Sequence, residues 1–558
     1  MRSLSHNWLG AEGAAALAPA LAANGALTRV DVRRNNIAGD GAVQLAAAVL
    51  CNLKIEMFNE IPIKEMRANS LTKLDLKRKD VGDEGGMVVA GLIPVMGALT
   101  KMSLADNNLG EEGTKAICEA LEQNKTLKEL DISEGTAGAK HVANMLCVNV
   151  ALTKLSLAQN KLEEAGTKSI CKALEQNTTL KELDISGDHC GSNTGGSAGA
   201  KHVAKMVRVN GALTKLSLAQ NKLEEEGTKA ICEALEQNTT LKELDISGGY
   251  KGNIGGSAGA KHVAKMLGVN GGLTSINLSE NALCGVVQSF GGVSGTYTAE
   301  GITAIADALR VNGGLTSIDL SGNQLCGIWT DDDGDQHGTY TAEGITAIAD
   351  ALRVNGGLTK LSLAINNLME EGTKAICEAL EQNRTLKELD ISGGEYHDNI
   401  GGSAGAKHVA KMLGVNGALT ALNLFSNDLK DEGVSAVCEA IQSNKETKLA
   451  SLNFGNNGIH PVGANAVAAM VAVTGALTAL DLSFNDLNDD GVSAVCEAIQ
   501  NNKETKLASL NMGANSIGPV GAKSVAAMAA VTGGLTKMRY VSPQTGGTFG
   551  PKSLHQNP

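Results

Sequence analysis

A 28-residue segment is copied along this chain, and its periodicity constrains the fold more than any other feature. LTKLSLAQNKLEEAGTKSICKALEQNTT begins at Leu152 and returns nearly unchanged at Leu213, with looser copies from Leu99 and Leu358. A second type, LKELDISG leading to GAKHVAKMLGVNGA or a close variant, begins at Leu127, Leu180, Leu241 and Leu386. Both share the frame L-x-x-L-x-L-x-x-N-x-L, with Asn often replaced in the second type. Sixteen frames start at residues 27, 71, 99, 127, 152, 180, 213, 241, 273, 315, 358, 386, 419, 449, 477 and 507. A degenerate repeat lies near Leu53 and partial repeats lie at both ends, so about 16 to 18 repeats are expected. Spacings longer than 28, such as the 42 residues from Leu273 to Leu315, hold insertions.

Each part of the frame has a physical role. The L-x-L alternation places two side chains on one face of a short strand. The Asn three residues on bonds backbone groups that the turn leaves unpaired. The stretch from Thr114 to Gln123 reads as a helix, with Ile117 and Leu121 four apart on one face. Gly211, Gly271 and Gly417 lie past helix ends, where a left-handed cap is common. One strand and one helix cannot bury their own apolar faces, so parallel neighbours must stack into a continuous core.

The pattern resembles the leucine-rich repeat, specifically the ribonuclease-inhibitor-like subtype with two alternating repeat types. That resemblance spans roughly residues 1 to 541. It implies a curved α/β solenoid, or horseshoe, with parallel strands on the concave face and helices on the convex face. Residues 542–558 read as a flexible C-terminal tail. The same subtype builds the sensor arrays of NOD-like receptors and the body of Ran GTPase-activating proteins.

Composition narrows the function. With 48 basic and 60 acidic residues the net charge is −12, which argues against a nucleic-acid partner. No apolar run approaches the ~18–20 residues of a membrane helix, and MRSLSHNWLG has no signal-peptide form, so a cytoplasmic protein without a membrane partner is expected. Cys118, Cys171, Cys232, Cys377, Cys438 and Cys496 each lie nineteen residues after their frame Leu, which reads as reduced core thiols. Cys190 also reads as core, whereas Cys284 and Cys326 open insertions and are expected at the surface.

Several local patterns invite a sharper chemistry, and each is better explained by the repeat. His141, His202, His262 and His408 recur in AKHVA or AKHVAK text with no local Cys or carboxylate at ligand spacing, so no metal is assigned. GGSAGAKH at Gly195, Gly255 and Gly401 is glycine-rich before a helix. It has Ala where a phosphate loop needs Gly, and His202 where Ser or Thr would hold magnesium, so no cofactor is assigned. Asp331, Asp332, Asp333 and Asp335 surround Gly334, but Trp329 and Tyr340 stand where a calcium loop has ligands, and a solvated acidic loop is the reading. Asn124, Asn177, Asn238 and Asn383 open N-x-T sequons, all in one helix-to-strand turn. They read as helix-end residues, and would carry glycans only in a protein secreted from a longer precursor.

What remains is an interaction scaffold, non-enzymatic, with a protein partner. At frame position three Lys101, Glu129, Lys154, Glu182, Lys215 and Glu243 alternate, predicting a cross-strand ladder that satisfies itself. Candidate partner-binding residues break that pattern. Arg29, Arg33 and Lys77, with Arg34, Lys73 and Arg78, form an N-terminal basic patch. Phe425 and Phe484 stand two repeats apart near the C-terminal end. Insertions at 187–196, 248–256, 284–299, 326–342 and 393–402 carry six of the thirteen aromatics: Tyr250, Phe290, Tyr297, Trp329, Tyr340 and Tyr396. With Asp331 and Asp333, they form either a binding edge or tolerated loops that have drifted. The leading function is a sensor or regulatory module similar to NOD-like receptor arrays; the alternative is a small-GTPase regulator of the Ran GTPase-activating type. Leu4, Asn7 and Leu9 match the sixth, ninth and eleventh frame positions, so the frame is expected to begin before Met1, in a longer protein or a shortened reading frame.

Overall fold

The computed structural model describes residues 3–135, 138–188, 191–249, 252–289, 292–330, 336–394 and 399–539. The chain divides into two compact units, Met1–Gly255 and Gly256–Pro558. The expected tail and Cys190 lie outside the described residues.

In the first unit, β1 (Arg29–Val30) and β2 (Met57–Phe58) pair in parallel. A parallel sheet then follows chain order through β3 (Lys73–Asp75), β4 (Lys101–Ser103), β5 (Glu129–Asp131), β6 (Lys154–Ser156), β7 (Glu182–Asp184), β8 (Lys215–Ser217) and β9 (Glu243–Asp245). The second unit opens with β10 (Ser275–Asn277), a hairpin of β11 (Val287–Ser289) and β12 (Gly292–Ser294), and β13 (Ser317–Asp319). A second hairpin, β14 (Ile328–Thr330) with β15 (Gln336–Gly338), precedes β16 (Lys360–Ser362) and β17 (Glu388–Asp390). Then come β18 (Ala421–Asn423), β19 (Ser451–Asn453), β20 (Ala479–Asp481), β21 (Ser509–Asn511) and β22 (Lys537–Arg539). Outside the hairpins, the strands of this unit form one parallel sheet in chain order.

All sixteen frames fall on strands, the degenerate repeat supplies β2, and Leu535 begins one more at β22, making eighteen repeat strands among the described residues. The architecture is an α/β leucine-rich-repeat solenoid. Within one repeat the core is legible residue by residue. Leu99, Met102 and Leu104 from the frame meet Ile117, Cys118 and Leu121 of helix Glu111–Glu122, all at most 4% exposed. No helix among the described residues is long and apolar enough to cross a membrane.

Buried asparagines tie each repeat to the next. Asn427 is representative: its Nδ2 donates to the Ile391 carbonyl at 3.0 Å, and its Oδ1 accepts from the Asn399 and Ile400 N–H groups. The second repeat type does not lose this group; it relocates it beyond the insertion. Asn193, Asn253 and Asn399 re-enter the row, donating to the Leu157, Leu218 and Leu363 carbonyls at 2.8, 3.0 and 3.0 Å. A second asparagine row caps the helix ends. Asn238 and Asn383 donate through Nδ2 to the Val207 and Leu352 carbonyls at 2.7 and 2.8 Å. The nitrogen that a glycan would take is thus already committed in these buried sequons.

Two further features depart from the ordinary repeat. Position nine of the repeat at Leu71 is Lys79, and its row is completed differently. Asn59 accepts from the Val32 N–H at 2.9 Å and donates to the buried Glu84 carboxylate at 3.1 Å. Burial pushes the Glu84 carboxyl up to about 7; its own N–H and Asn59 oppose this, and neighbouring Asp83 adds to it. At the GGSAGAKH turns both leading glycines are left-handed: Gly195 and Gly196 have φ of 85° and 65°, and a Cβ on Gly195 would strike the Glu164 backbone. The turn, not a phosphate, requires them.

Candidate interaction surface

On the first unit the strand face is a charge ladder. Lys101 meets Glu129 at 2.8 Å, Lys154 meets Glu182 at 3.1 Å and Lys215 meets Glu243 at 2.9 Å. Ser103 and Ser156 donate to Asp131 and Asp184 one strand on. The N-terminal basic patch is a paired network rather than a free cationic surface. Arg33 contacts Asp31 at 2.9 Å and Glu60 at 2.7 Å, and Lys77 lies 3.9 Å from Glu134. Arg34 pairs with Asp80, Lys73 with Asp75 and Arg78 with Asp106. The Arg33 guanidinium holds the Asp31 carboxyl below its ordinary range, and Lys79 with Arg33 does the same for Glu60. Asp31 and Asp75 lie two residues from their cations, whereas Glu60, Asp80, Asp106 and Glu134 come from other repeats, where sequence order hides them. Arg29 is exposed on β1.

The histidines of AKHVA are likewise inter-helical. His141, His202 and His408 lie 3.6, 3.3 and 3.4 Å from Glu111, Glu164 and Glu370 at the start of the preceding helix.

On the second unit the insertions at 284–299 and 326–342 are hairpins, not open loops. Tyr297 and Tyr340, expected to face a partner, are half-buried struts. Their hydroxyls donate to the Leu325 and Leu368 carbonyls at 2.9 and 2.8 Å, and Tyr340 also accepts from the Gly372 N–H at 3.0 Å. Burial raises both phenol pKa values. Cys284 and Cys326 are fully buried, correcting the expectation that they lie at the surface. Each begins a hairpin that folds back, with Thr298 and Thr341 donating N–H groups to their carbonyls. Burial lifts the Cys284 thiol to about 12, as it does for Cys118, Cys171 and Cys496. Trp329 stacks on His337 with ring centres 6.2 Å apart. Tyr250, Phe290, Asp331, Asp333 and Tyr396 lie outside the described residues.

The C-terminal strands carry a different surface. Across β18 to β21 position three is Ala421, Ser451, Ala479 and Ser509, and position five is Asn423, Asn453, Asp481 and Asn511. The Lys–Glu ladder stops. Past the ends of β16 and β20 stand Ile365 and Phe484 at frame position eight, and past the end of β18 stands Phe425 at position seven. Gly393 holds position eight past β17, and Gly455 and Gly513 hold position seven past β19 and β21. The Phe425 ring lies across Gly455, where an added Cβ would come within 2.8 Å of it. Ile365 and Phe484 are 50% and 61% exposed. Both are left-handed, with φ of 54° and 55°, a conformation that is costly for such side chains. Sequence reasoning does not single out Ile365, nor Asn423 and Asn453; the signal for the asparagines is the loss of Lys and Glu at position three from β18 onward.

The Leucine Rich repeat family profile matches residues 3–18, 26–46, 67–90, 418–438 and 477–496. Mouse ribonuclease inhibitor is 26% identical over 87% of this chain and 82% of its own length. Pig ribonuclease inhibitor is 29% identical over 68% of this chain and 81% of its own length. Human NACHT, LRR and PYD domains-containing protein 13 is 35% identical over 24% of this chain, a match that spans only 12% of that relative. With the fold above, these matches place the chain in the leucine-rich-repeat class. Over most of its length it is similar to the ribonuclease inhibitors.

Proposed function

We propose that this chain is a non-enzymatic protein-binding scaffold with a sensor or regulatory role, and that the strand face of its second unit receives the partner. One observation carries the reading. From β18 to β21 the strand face lacks the Lys–Glu ladder and keeps Asp481 as its one charge at positions three and five, and Phe425 and Phe484 stand at its edge, Phe484 61% exposed at the left-handed turn position that most repeats share. The first-unit ladder, by contrast, pairs most of its charges internally and offers less to a partner. The relatives support the same class, since a ribonuclease inhibitor is by its name a protein that acts on another protein. A cytoplasmic setting accords with buried reduced thiols.

The test is capture and cross-linking of partners by the full chain, compared with the double variant Phe425→Ala/Phe484→Ala. Loss of a specific cross-linked partner, with unchanged circular dichroism, supports the face. Retention of every partner by a folded double variant refutes it.

A further inference from the structure

We propose that the open ends of the array dock onto a second copy of this chain, head to tail. The face formed by helix Pro519–Val531 and β22 of one copy receives the face formed by helix Gly10–Ala23 of the next. This interaction is separate from the strand face above and does not depend on it.

The repeat frame comes first. Residues 4–26 occupy frame positions six to twenty-eight and hold a helix, whereas residues 535–539 occupy positions one to five and hold β22. Each is the half that the other lacks among the described residues. Leu535 and Met538 of one copy, with Leu4 of the next, restore the first, fourth and sixth positions of one repeat. In a stacked array each repeat shelters its neighbour, so an open end leaves such side chains wet. Leu4 and Met538 are 40% and 41% exposed, against 1% and 2% for their counterparts Leu104 and Met102.

The helix faces match as well, and internal copies show how. Helices Pro461–Val473 and Pro519–Val531 share the text PVGA-x-x-VAAM-x-AV. The first is covered by helix Asn488–Asn501: a Cβ on Gly491 would come within 2.8 Å of the Ala464 Cβ, and Ala464, Ala468 and Val471 are buried. The counterparts Ala522, Ala526 and Ala529 have no following helix among the described residues; Ala522 is half-buried, and Ala526 and Ala529 are exposed. At the other end Gly41, Leu45 and Ala48 are buried, and a Cβ on Gly41 would strike the Ala11 backbone of the preceding helix. Their counterparts Gly13, Leu17 and Ala20 are half-buried or exposed, and the atoms nearest to a Cβ on Gly13 belong to Leu9 of its own turn. Gly13 set on Ala522 repeats the contact of Gly491 with Ala464.

Charge and hydrogen bonds select this occupant and its register. Lys201, Lys261 and Lys407 each pair with the glutamate just before the glycine of the following helix: Glu226 at 2.8 Å, Glu300 at 2.5 Å and Glu432 at 2.8 Å. Lys523 and Glu12 hold these two positions at the open ends, and neither has an ion-pair partner among the described residues. Asn502 donates through Nδ2 to the Val471 and Thr474 carbonyls at 2.7 and 3.2 Å. Asn24, at the same place, uses its Oδ1 on the Ala26 and Leu27 N–H groups, and its Nδ2 has no acceptor among the described residues. The matching carbonyls are those of Ala529 and Thr532. Likewise Thr100 and Lys101 donate N–H groups to the Thr72 carbonyl one strand back; Thr28 and Arg29 have no earlier strand, and Thr536 no later one, among the described residues. Arg539 then lies beside Asp31, and Lys537 beside Arg29, a like-charge neighbour that the array already holds at Lys73 and Lys101. Two C-terminal faces would instead set Lys523, Lys537 and Arg539 against their own kind.

Sedimentation velocity on the full chain should show the 57.3 kDa monomer in equilibrium with species of two and more copies that grow with concentration. Ala20→Arg blocks one face and Ala526→Arg the other, both at exposed sites. Each variant alone should stay monomeric, and an equal mixture should form a one-to-one dimer, which also shows that both fold. Adding Lys523→Glu to the Ala20→Arg copy should weaken that dimer about fivefold, and adding Glu12→Lys to the Ala526→Arg copy should recover it. A wild-type chain that is monomeric at every concentration overturns the proposal. So does a single variant that still self-associates, a mixture that stays monomeric while both variants keep native circular dichroism, or a charge reversal without recovery.

Discussion

Replacing Glu84 by Gln should stabilise the N-terminal repeats at neutral pH and leave them unchanged in acid. Glu84 is 4% exposed and takes one hydrogen bond from Asn59. Its proton is held to about pH 7 in the folded chain, against an ordinary value of 4.5. Below 4.5 the carboxyl is neutral in both folded and unfolded chains and no penalty exists. As pH rises toward 7, the unfolded chain releases the proton and the folded chain resists, so stability falls across that window. Above it the deficit is complete, at about 3 kcal/mol. Glutamine keeps an oxygen for Asn59 Nδ2 and cannot ionise. Because repeat arrays open locally, the suitable assay is amide exchange in helix Gly82–Leu92, comparing wild type with Glu84→Gln at each pH. The rate ratio should approach unity near pH 4 and rise to about a hundredfold near pH 8. A ratio independent of pH would show that the desolvated carboxylate does not govern this region.

Three more outcomes are expected. Phe484→Asn should raise thermal stability by about 1 kcal/mol, since Asn tolerates the left-handed backbone better, while weakening partner capture; a loss of stability would remove the argument that Phe484 is retained at a cost. Asn399→Ala should cost about 3 kcal/mol, because the buried Asn366 and Leu368 N–H groups lose their acceptor, and exchange at those two amides reads it directly. In the native chain the exposed Cys51 and Cys147 should alkylate fast, and the buried Cys284 and Cys326 only on unfolding, as site-resolved mass spectrometry would reveal.

The frame made every repeat strand but β2 and β22 legible, because two buried leucines per strand leave an unmistakable pattern. The repeat at Leu535 reads only as a partial one in sequence, because its strand carries Met538, 41% exposed, in place of a buried Leu. The charge ladder was legible for the same reason as the strands: register places position three of one repeat beside position three of the next. The candidate site was less so. Aromatic content pointed to the insertions, yet Tyr297 and Tyr340 spend their hydroxyls on neighbouring turns, a pairing that depends on how the hairpins fold back. Arg33 looked cationic until Asp31 and Glu60 from its own and the adjoining repeat closed around it. Phe425 and Phe484 were recognisable as aromatic, but the glycines beside them acquire meaning only once strand order is known.

The relocated asparagines carry a consequence for how such a chain tolerates change. Because Asn193, Asn253 and Asn399 stitch the polypeptide back into the array just after each insertion, whatever precedes them is free to vary in length and content while the fold downstream keeps its phase. Foreign sequence grafted immediately ahead of any of these three anchors should be carried as a passenger, making them natural sockets for new recognition elements.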